Sequence, residues 1–278
     1  MPGDPRPVGV FDSGMGGLTV LKALVERLPN ERFVYLGDTA RLPYGTKSAE
    51  TVQAYALQAT RLLRDEGVKM LVIACNTASA VALGVLQDAF TPLPVIGVIE
   101  PGARAGVAAT SNRRIAVIAT EGTVRGGAYA RAILRQMSDA EVVQQPCGVF
   151  VALAEEGWTD TQATRAAAEH YLAELFSGPN APDTLVLGCT HFPVLAGAIR
   201  AAIGADVALV DSAETTALAV AEALYEAGLG SEAEGGSGGT VRFFATDSPE
   251  RFARVGAIFL GRAIDPAAVT LVDLRAFA

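Results

Sequence analysis

Short apolar runs alternate along this chain with longer stretches in which apolar positions recur at three- and four-residue spacing. The runs Val8–Phe11, Arg32–Leu36, Met70–Ala74, Val95–Val98, Arg114–Ala119, Thr184–Gly188 and Val241–Ala245 predict strands. Helical periodicity follows several of them. It covers Leu18–Leu28, Ser48–Glu66 (apolar at Val52, Tyr55, Ala59, Leu62 and Leu63), about Gly127 to Met137, and Pro249–Leu260. A further segment, Phe150–Glu156, leads past Trp158 to a helix ending near Phe176. This alternation implies βαβ units and parallel sheets. The order restarts near Arg114: the interval from Val8 to Cys75 is similar to that from Arg114 to Cys189, so an internal repeat is plausible.

At 278 residues, half of them hydrophobic, the chain accommodates two α/β domains. The expected division is 1–98 plus 211–278 for the first and 99–210 for the second. The first is discontinuous because the tail packs back on the first sheet. The run Gly228–Gly239 is a flexible loop by composition. Open parallel sheets bind ligands beyond the carboxyl ends of their strands, and Asp12, Cys75, Thr120 and Cys189 all fall at such ends. Two facing sheets would bring both cysteines into one cleft.

Composition excludes several classes. A net charge of −8 without a basic stripe argues against nucleic acid as partner. The most apolar stretch, around residues 70–86, is interrupted by Asn76, Thr77 and Ser79, so no membrane span is expected. The first residues lack a signal pattern, and the three cysteines suit a reducing compartment. A cytoplasmic protein is expected.

The candidate chemistry lies in two matched turns, Ala74-Cys75-Asn76-Thr77 and Gly188-Cys189-Thr190-His191. Each follows a strand and opens a helical pattern. A helix N-terminus favours the thiolate. Asn76 or Thr77 is the expected cap of the first helix and Thr190 of the second, with Pro193 just inside it. The competing reading is that each cysteine is a small core residue; Cys147, without such a setting, is read as core. Zinc is disfavoured, with no CxxC and only two histidines. His170 is read as a surface residue, whereas His191 is placed to act as acid, base or substrate clamp. Asp12-Ser13-Gly14-Met15-Gly16-Gly17 lacks the Walker lysine and the G-x-G-x-x-G spacing of a nucleotide loop. Its glycines permit close backbone approach, and Asp12 is either a helix cap, a cleft residue, or both. Leu42-Pro43-Tyr44-Gly45 is a turn in which Tyr44 either walls the cleft or is packed.

Taken together, Asp12-Ser-Gly-Met-Gly-Gly17, Pro43-Tyr-Gly45, Cys75-Asn-Thr77, Gly188-Cys-Thr-His191 and Val210-Asp-Ser212 resemble the glutamate racemases, within the cofactor-independent aspartate/glutamate racemase group. The likeness runs from about Val8 to Ile264. It implies two flavodoxin-like α/β domains whose mostly parallel sheets face each other across a cleft. It also implies interconversion of L- and D-glutamate, which supplies D-glutamate for peptidoglycan, with no cofactor, no metal and a homodimer.

Position by position, the resemblance implies that Cys75 takes the α-proton from D-glutamate and Cys189 from L-glutamate. Asp12 would assist the first thiol, and His191 with Glu155 the second. Substrate contacts would come from Asp12, Ser13, Pro43, Tyr44, Gly45, Cys75, Asn76, Thr77, Thr120, Thr123, Cys189, Thr190 and His191. The segment Pro146–Ala152 departs from the family pattern, which leaves Glu156 a second candidate beside Glu155.

The chemistry can also be stated without the family. One cysteine is thiolate and the other thiol, on opposite faces of Cα, and hydrogen bonds to the substrate carboxylate stabilise the carbanion in a closed site. The rival readings are aspartate as substrate, a nucleophilic cysteine in a cis–trans isomerase, and a two-lobed amino-acid sensor.

Overall fold

The fully apolar runs form strands covered on both faces, as parallel sheets require. The computed structural model of the chain describes residues 3–231 and 239–277, so most of the expected glycine-rich loop, 232–238, lies outside the described residues. Ten strands are described: β1 (Val8–Asp12), β2 (Phe33–Gly37), β3 (Met70–Ile73), β4 (Val95–Gly97), β5 (Arg114–Ala119), β6 (Glu141–Pro146), β7 (Thr184–Gly188), β8 (Ala208–Asp211), β9 (Val241–Ala245) and β10 (Val269–Leu271). They make a six-stranded sheet, β10-β9-β2-β1-β3-β4, and a four-stranded sheet, β6-β5-β7-β8. Every pairing is parallel. The strand near the C-terminus returns to the first sheet, with Phe33 opposite Val241 and Gly37 opposite Ala245.

The helices are α1 (Leu18–Arg27), α2 (Ala49–Asp65), α3 (Asn76–Phe90), α4 (Ile99–Ala109), α5 (Glu121–Gly126), α6 (Ala128–Gln136), α7 (Val149–Glu155), α8 (Gln162–Leu172), α9 (Ala196–Ile203), α10 (Ser212–Glu226) and α11 (Pro249–Leu260). The helix expected from about Gly127 begins one residue later. A separate short helix, α5, ends against it, and the two meet at Gly127, whose φ of +61° is readily adopted by glycine.

Three strands were not anticipated. β6 reads Glu-Val-Val-Gln-Gln-Pro and is only partly buried along its length. β8 and β10 are short. All three lie at sheet edges, where one side has no neighbouring strand and a continuous apolar run is not required. Helices α4 and α10 also lacked a clear expectation, although α10 packs against both α1 and α4.

Packing joins the two sheets. One apolar cluster contains Val8, Val10 and Val72 of the first sheet together with Ala116, Ile118, Leu185 and Leu187 of the second. The other face of each sheet has its own cluster, around Phe11, Leu36 and Ile73 in one case and Val117, Tyr129 and Val186 in the other. The carboxyl ends of β1, β3, β5 and β7 lead directly into Ser13, Ala74, Thr120 and Cys189. Among the described residues, no helix is long and apolar enough to cross a membrane.

A buried ion pair secures the opposite end of the first sheet. Lys69 Nζ lies 2.6 Å from Glu31 Oε2, with side chains 0% and 4% exposed. Lys69 also donates to the Asp4 carbonyl at 2.7 Å, and Glu31 Oε1 accepts from the Ser231 amide at 2.7 Å. Removing one partner strands the other charge, whereas removing both does not. Lys69→Met is therefore expected to cost about 3–5 kcal/mol of unfolding free energy in urea titrations. The Lys69→Met/Glu31→Leu double variant should recover most of that loss; if it is no more stable than the single variant, the pairing is not the cause.

Candidate active site

Cys75 ends the turn after β3 and is itself the N-cap of α3: its Sγ accepts from the Ala78 amide at 3.5 Å. The expected caps, Asn76 and Thr77, are instead the first two helical residues. Their side chains are thus released for other partners, because sulfur occupies the capping position. The Cys75 thiol also donates to Ser13 Oγ at 3.4 Å.

Asp12, at the end of β1, is fully buried. Its Oδ2 accepts from the Gly14 amide at 2.9 Å, while Oδ1 has no partner among the described residues. It is not the cap of α1, whose N-cap position is Gly17 without any side-chain bond. A Cβ on Gly17 would stand 2.5 Å from Asp12 Cβ, so glycine is what permits this approach. Burial raises the Asp12 carboxyl above the ordinary range, against the opposing charge of His191 and the amides of Gly17 and Gly14. Burial, and after it the charge of Asp12, push the Cys75 thiol up to about 12.

The second cysteine has a different setting. Cys189 follows β7, but no α-helix starts there. His191 precedes a short 3-10 turn, Phe192–Leu195, which contains Pro193, and Thr190 caps nothing. The chain first makes this 3-10 turn, and α9 begins only at Ala196. Charge near this thiol comes from side chains instead. His191 Nδ1 lies 3.9 Å from Cys189 Sγ and 3.4 Å from Thr190 Oγ1, while Nε2 lies 3.2 Å from Glu155 Oε1. Arg251 on α11 donates to the other Glu155 oxygen at 2.8 Å.

Burial disfavours an imidazolium at His191. Hydrogen bonds to Cys189 and Glu155, with the charges of Cys189 and Asp12, outweigh it and push the pKa up to about 10. Burial likewise opposes the Glu155 carboxylate, yet bonding to His191 and Arg251 holds it below its usual range. Glu155 is thus the one of the two glutamates that bonds to His191, whereas Glu156 is exposed.

Contacts between the two sheets close the site. Thr77 of α3 meets Thr120 and Thr123, which flank α5's first turn, in a triangle of hydroxyls with sides of 3.0, 3.2 and 3.1 Å. A Cβ on Gly45 would lie 2.6 Å from Thr120 Cβ, and one on Gly16 would lie 2.4 Å from His191 Nδ1. Thr19 of α1 donates to the Thr190 carbonyl at 3.1 Å. Cys75 and Cys189 are each only 5% exposed.

Tyr44 is packed rather than walling the cleft: its ring meets Phe11 and Tyr55, and its hydroxyl donates to the buried Asp38. Asp38 also accepts from Arg41 Nε at 2.7 Å and Thr246 Oγ1 at 2.9 Å. Pro43 is exposed at the head of this turn, whereas Gly45 is buried. Cys147 is a core residue and His170 is exposed, as expected. Among the described residues, no three His, Cys, Asp or Glu side chains are grouped to hold a metal ion.

Sequence reasoning missed Asp38, Tyr129 and Arg251. Asp38 comes directly after β2, much as Asp12 ends β1, so the strand-end rule would have found it. Tyr129 and Arg251 lie inside helical patterns with no local signature. Tyr129 donates to Asn76 Oδ1 at 2.7 Å, and Asn76 Nδ2 is buried without a partner among the described residues.

The histidine array has a pH signature. With a folded-state pKa raised from 6.5 to about 10, His191 contributes stability that is complete below its unfolded pKa and fades as pH rises through about 10. Long-range 1H–15N spectra are expected to show an imidazolium through neutral pH, and Glu155→Gln to lower its midpoint. A wild-type imidazole already neutral at about pH 8 would contradict this assignment.

Comparison with known proteins places this geometry. A family model described as Asp/Glu/Hydantoin racemase matches residues 8–220. The chain is 51% identical over 256 residues to a glutamate racemase of Geobacter metallireducens, covering 92% of this chain and 93% of the relative. It is 47% identical over 259 residues to one of Syntrophus aciditrophicus, covering 93% and 94%. The crystal structure of the Francisella tularensis glutamate racemase in complex with D-glutamate superposes with a TM-score of 0.89 at 38% identity, covering 98% of this chain and 99% of that one. On this evidence of sequence and fold, the chain belongs to the Asp/Glu/Hydantoin racemase family.

Proposed function

We propose that this chain is a glutamate racemase that interconverts L- and D-glutamate by proton transfer between Cys189 and Cys75, without a cofactor. The observation that carries the reading is the asymmetry of two buried thiols: Cys75 lies in the field of a carboxylate, and Cys189 beside an imidazolium.

In the L-to-D direction, Cys189 as thiolate takes the α-proton, with His191 balancing its charge. Cys75, held as a thiol by burial and by Asp12, protonates the opposite face. In the reverse direction, Cys75 must first lose its proton. Asp12, fully buried with Oδ1 unpartnered among the described residues, is the group at hand to accept it. The carbanion is stabilised by donors to the substrate carboxylate and by the substrate's own ammonium. Asn76 Nδ2, the Thr77 and Thr190 hydroxyls, and the backbone around Tyr44 and Gly45 are the groups available. The low exposure of both thiols supports chemistry in a water-poor site.

The same reading divides the chain into 1–98 with 211–278 and 99–210, which open to admit substrate and close for the reaction. The strand membership of the two sheets supports this division. The biological role is supply of D-glutamate for peptidoglycan in the cytoplasm, and the strong likeness to named glutamate racemases supports it.

Proton NMR in D2O tests the reading. Wild-type protein is expected to replace the α-proton of either enantiomer of glutamate, and Cys75→Ser or Cys189→Ser to slow full turnover by about 10²–10⁴-fold. No exchange on glutamate contradicts the substrate; exchange on aspartate alone reassigns it. A stable mass increase on either cysteine points to nucleophilic chemistry instead.

A further inference from the structure

The two ends of an asparagine side chain are chemically opposite: the carbonyl oxygen only accepts and the NH2 group only donates. Which end faces a bound carboxylate decides whether the residue attracts or repels it. Asn76 follows Cys75 directly and is 3% exposed, so its amide must be oriented by something within the protein.

Tyr129 is the group that does so. Its phenol donates to Asn76 Oδ1 at 2.7 Å, leaving Nδ2 as a buried donor with no partner among the described residues. Burial pushes the phenol pKa well up, against hydrogen bonding with Ser212, so the hydroxyl remains a proton donor. The ring is itself held in place. A Cβ on Gly102 would lie 3.1 Å from its hydroxyl oxygen, and one on Gly188, immediately before Cys189, 3.0 Å from its ring. Glycines at these two points allow α4 and the end of β7 to close on it.

We propose that Tyr129 is a positioning residue for the racemase reaction: by donating to Asn76 Oδ1, it presents Asn76 Nδ2 to the substrate carboxylate. This rests on the glutamate racemase reading above. Tyr129 belongs to α6, after the second sheet's β5, and Asn76 begins α3, after the first sheet's β3. The hydrogen bond therefore links the two sheets' helices, and the donor is set only when they are together. If the amide were reversed, Nδ2 would be spent on the phenol oxygen, and Oδ1 would face the anionic substrate.

A double-mutant cycle tests the proposal, with KM and kcat measured in both directions. Because the overall equilibrium between enantiomers is unity, kcat/KM must fall equally in both directions for any variant. Tyr129→Phe is expected to raise the KM for glutamate about tenfold, with a smaller fall in kcat, because a buried acceptor is orphaned and the amide loses its orientation. In an Asn76→Ala background, the same substitution should change KM by less than about twofold. An unchanged KM in Tyr129→Phe, or an undiminished effect in the Asn76→Ala background, overturns the proposal.

Asn76→Asp provides a second arm should Tyr129→Phe fail to fold. It keeps an acceptor for Tyr129 but turns the free donor into a carboxylate oxygen. KM is expected to rise more than about tenfold, and an unchanged KM overturns the proposal. Wild-type turnover is measured first. If neither enantiomer of glutamate reacts, the racemase reading fails, and the cycle is then scored on D-glutamate affinity by calorimetry. Absence of binding there overturns the positioning role as well.

Discussion

Burial of two like groups beside charges of opposite sign is the constraint on which this site depends. A thiol withdrawn from water resists ionisation, and Asp12 adds to that resistance at Cys75. At Cys189, the neighbouring His191 remains cationic despite its burial because Cys189 and Glu155 bond to its two nitrogens. Glu155 in turn is held ionised by His191 and Arg251. The ordering of charge is thus Arg251, Glu155, His191, Cys189, running from α11 into the site. Two cysteines of the same intrinsic chemistry thus meet opposite charges, a carboxylate at Cys75 and an imidazolium at Cys189, which is the asymmetry a two-base reaction uses.

Close approach of the two sheets is what creates the burial. Gly16 against His191 and Gly45 against Thr120 each bring a segment that follows the first sheet onto one that follows the second, with no space for a Cβ. Gly16 of the Asp12–Gly17 loop therefore serves contact between protein segments. Around them, the threonine triangle and the Thr19–Thr190 hydrogen bond join segments that follow different sheets. Thr77 lies two residues past Cys75 and Thr190 next to Cys189, so the segments that carry the thiols are the ones that these contacts join.

Much of this was legible in the residues. Fully buried parallel strands announce themselves as continuous apolar runs, and the ends of β1, β3, β5 and β7 point to Asp12, Cys75, Thr120 and Cys189. Edge strands β6 and β8 were not legible, because a strand with one open side tolerates glutamine and short length. Capping was misjudged for a related reason. Thr and Asn are the better caps in general, but at Cys75 the sulfur reaches the Ala78 amide first. Arg251 and Tyr129 act across the fold on residues far away in sequence, and neither helix carries a local mark of that contact. Only packing discloses them.

The central claim is that two opposed thiols, each acting on one face, exchange the proton. Early-time isotope partitioning tests this most directly, starting from unlabelled L-glutamate in D2O and resolving the enantiomers before equilibrium. The account predicts that deuterium enters the D-enantiomer as it forms, while the remaining L-enantiomer keeps its protium, because Cys189 removes a proton that Cys75 does not return. Equal deuterium in both enantiomers from the first time points would indicate a single base serving both faces, and would contradict the account.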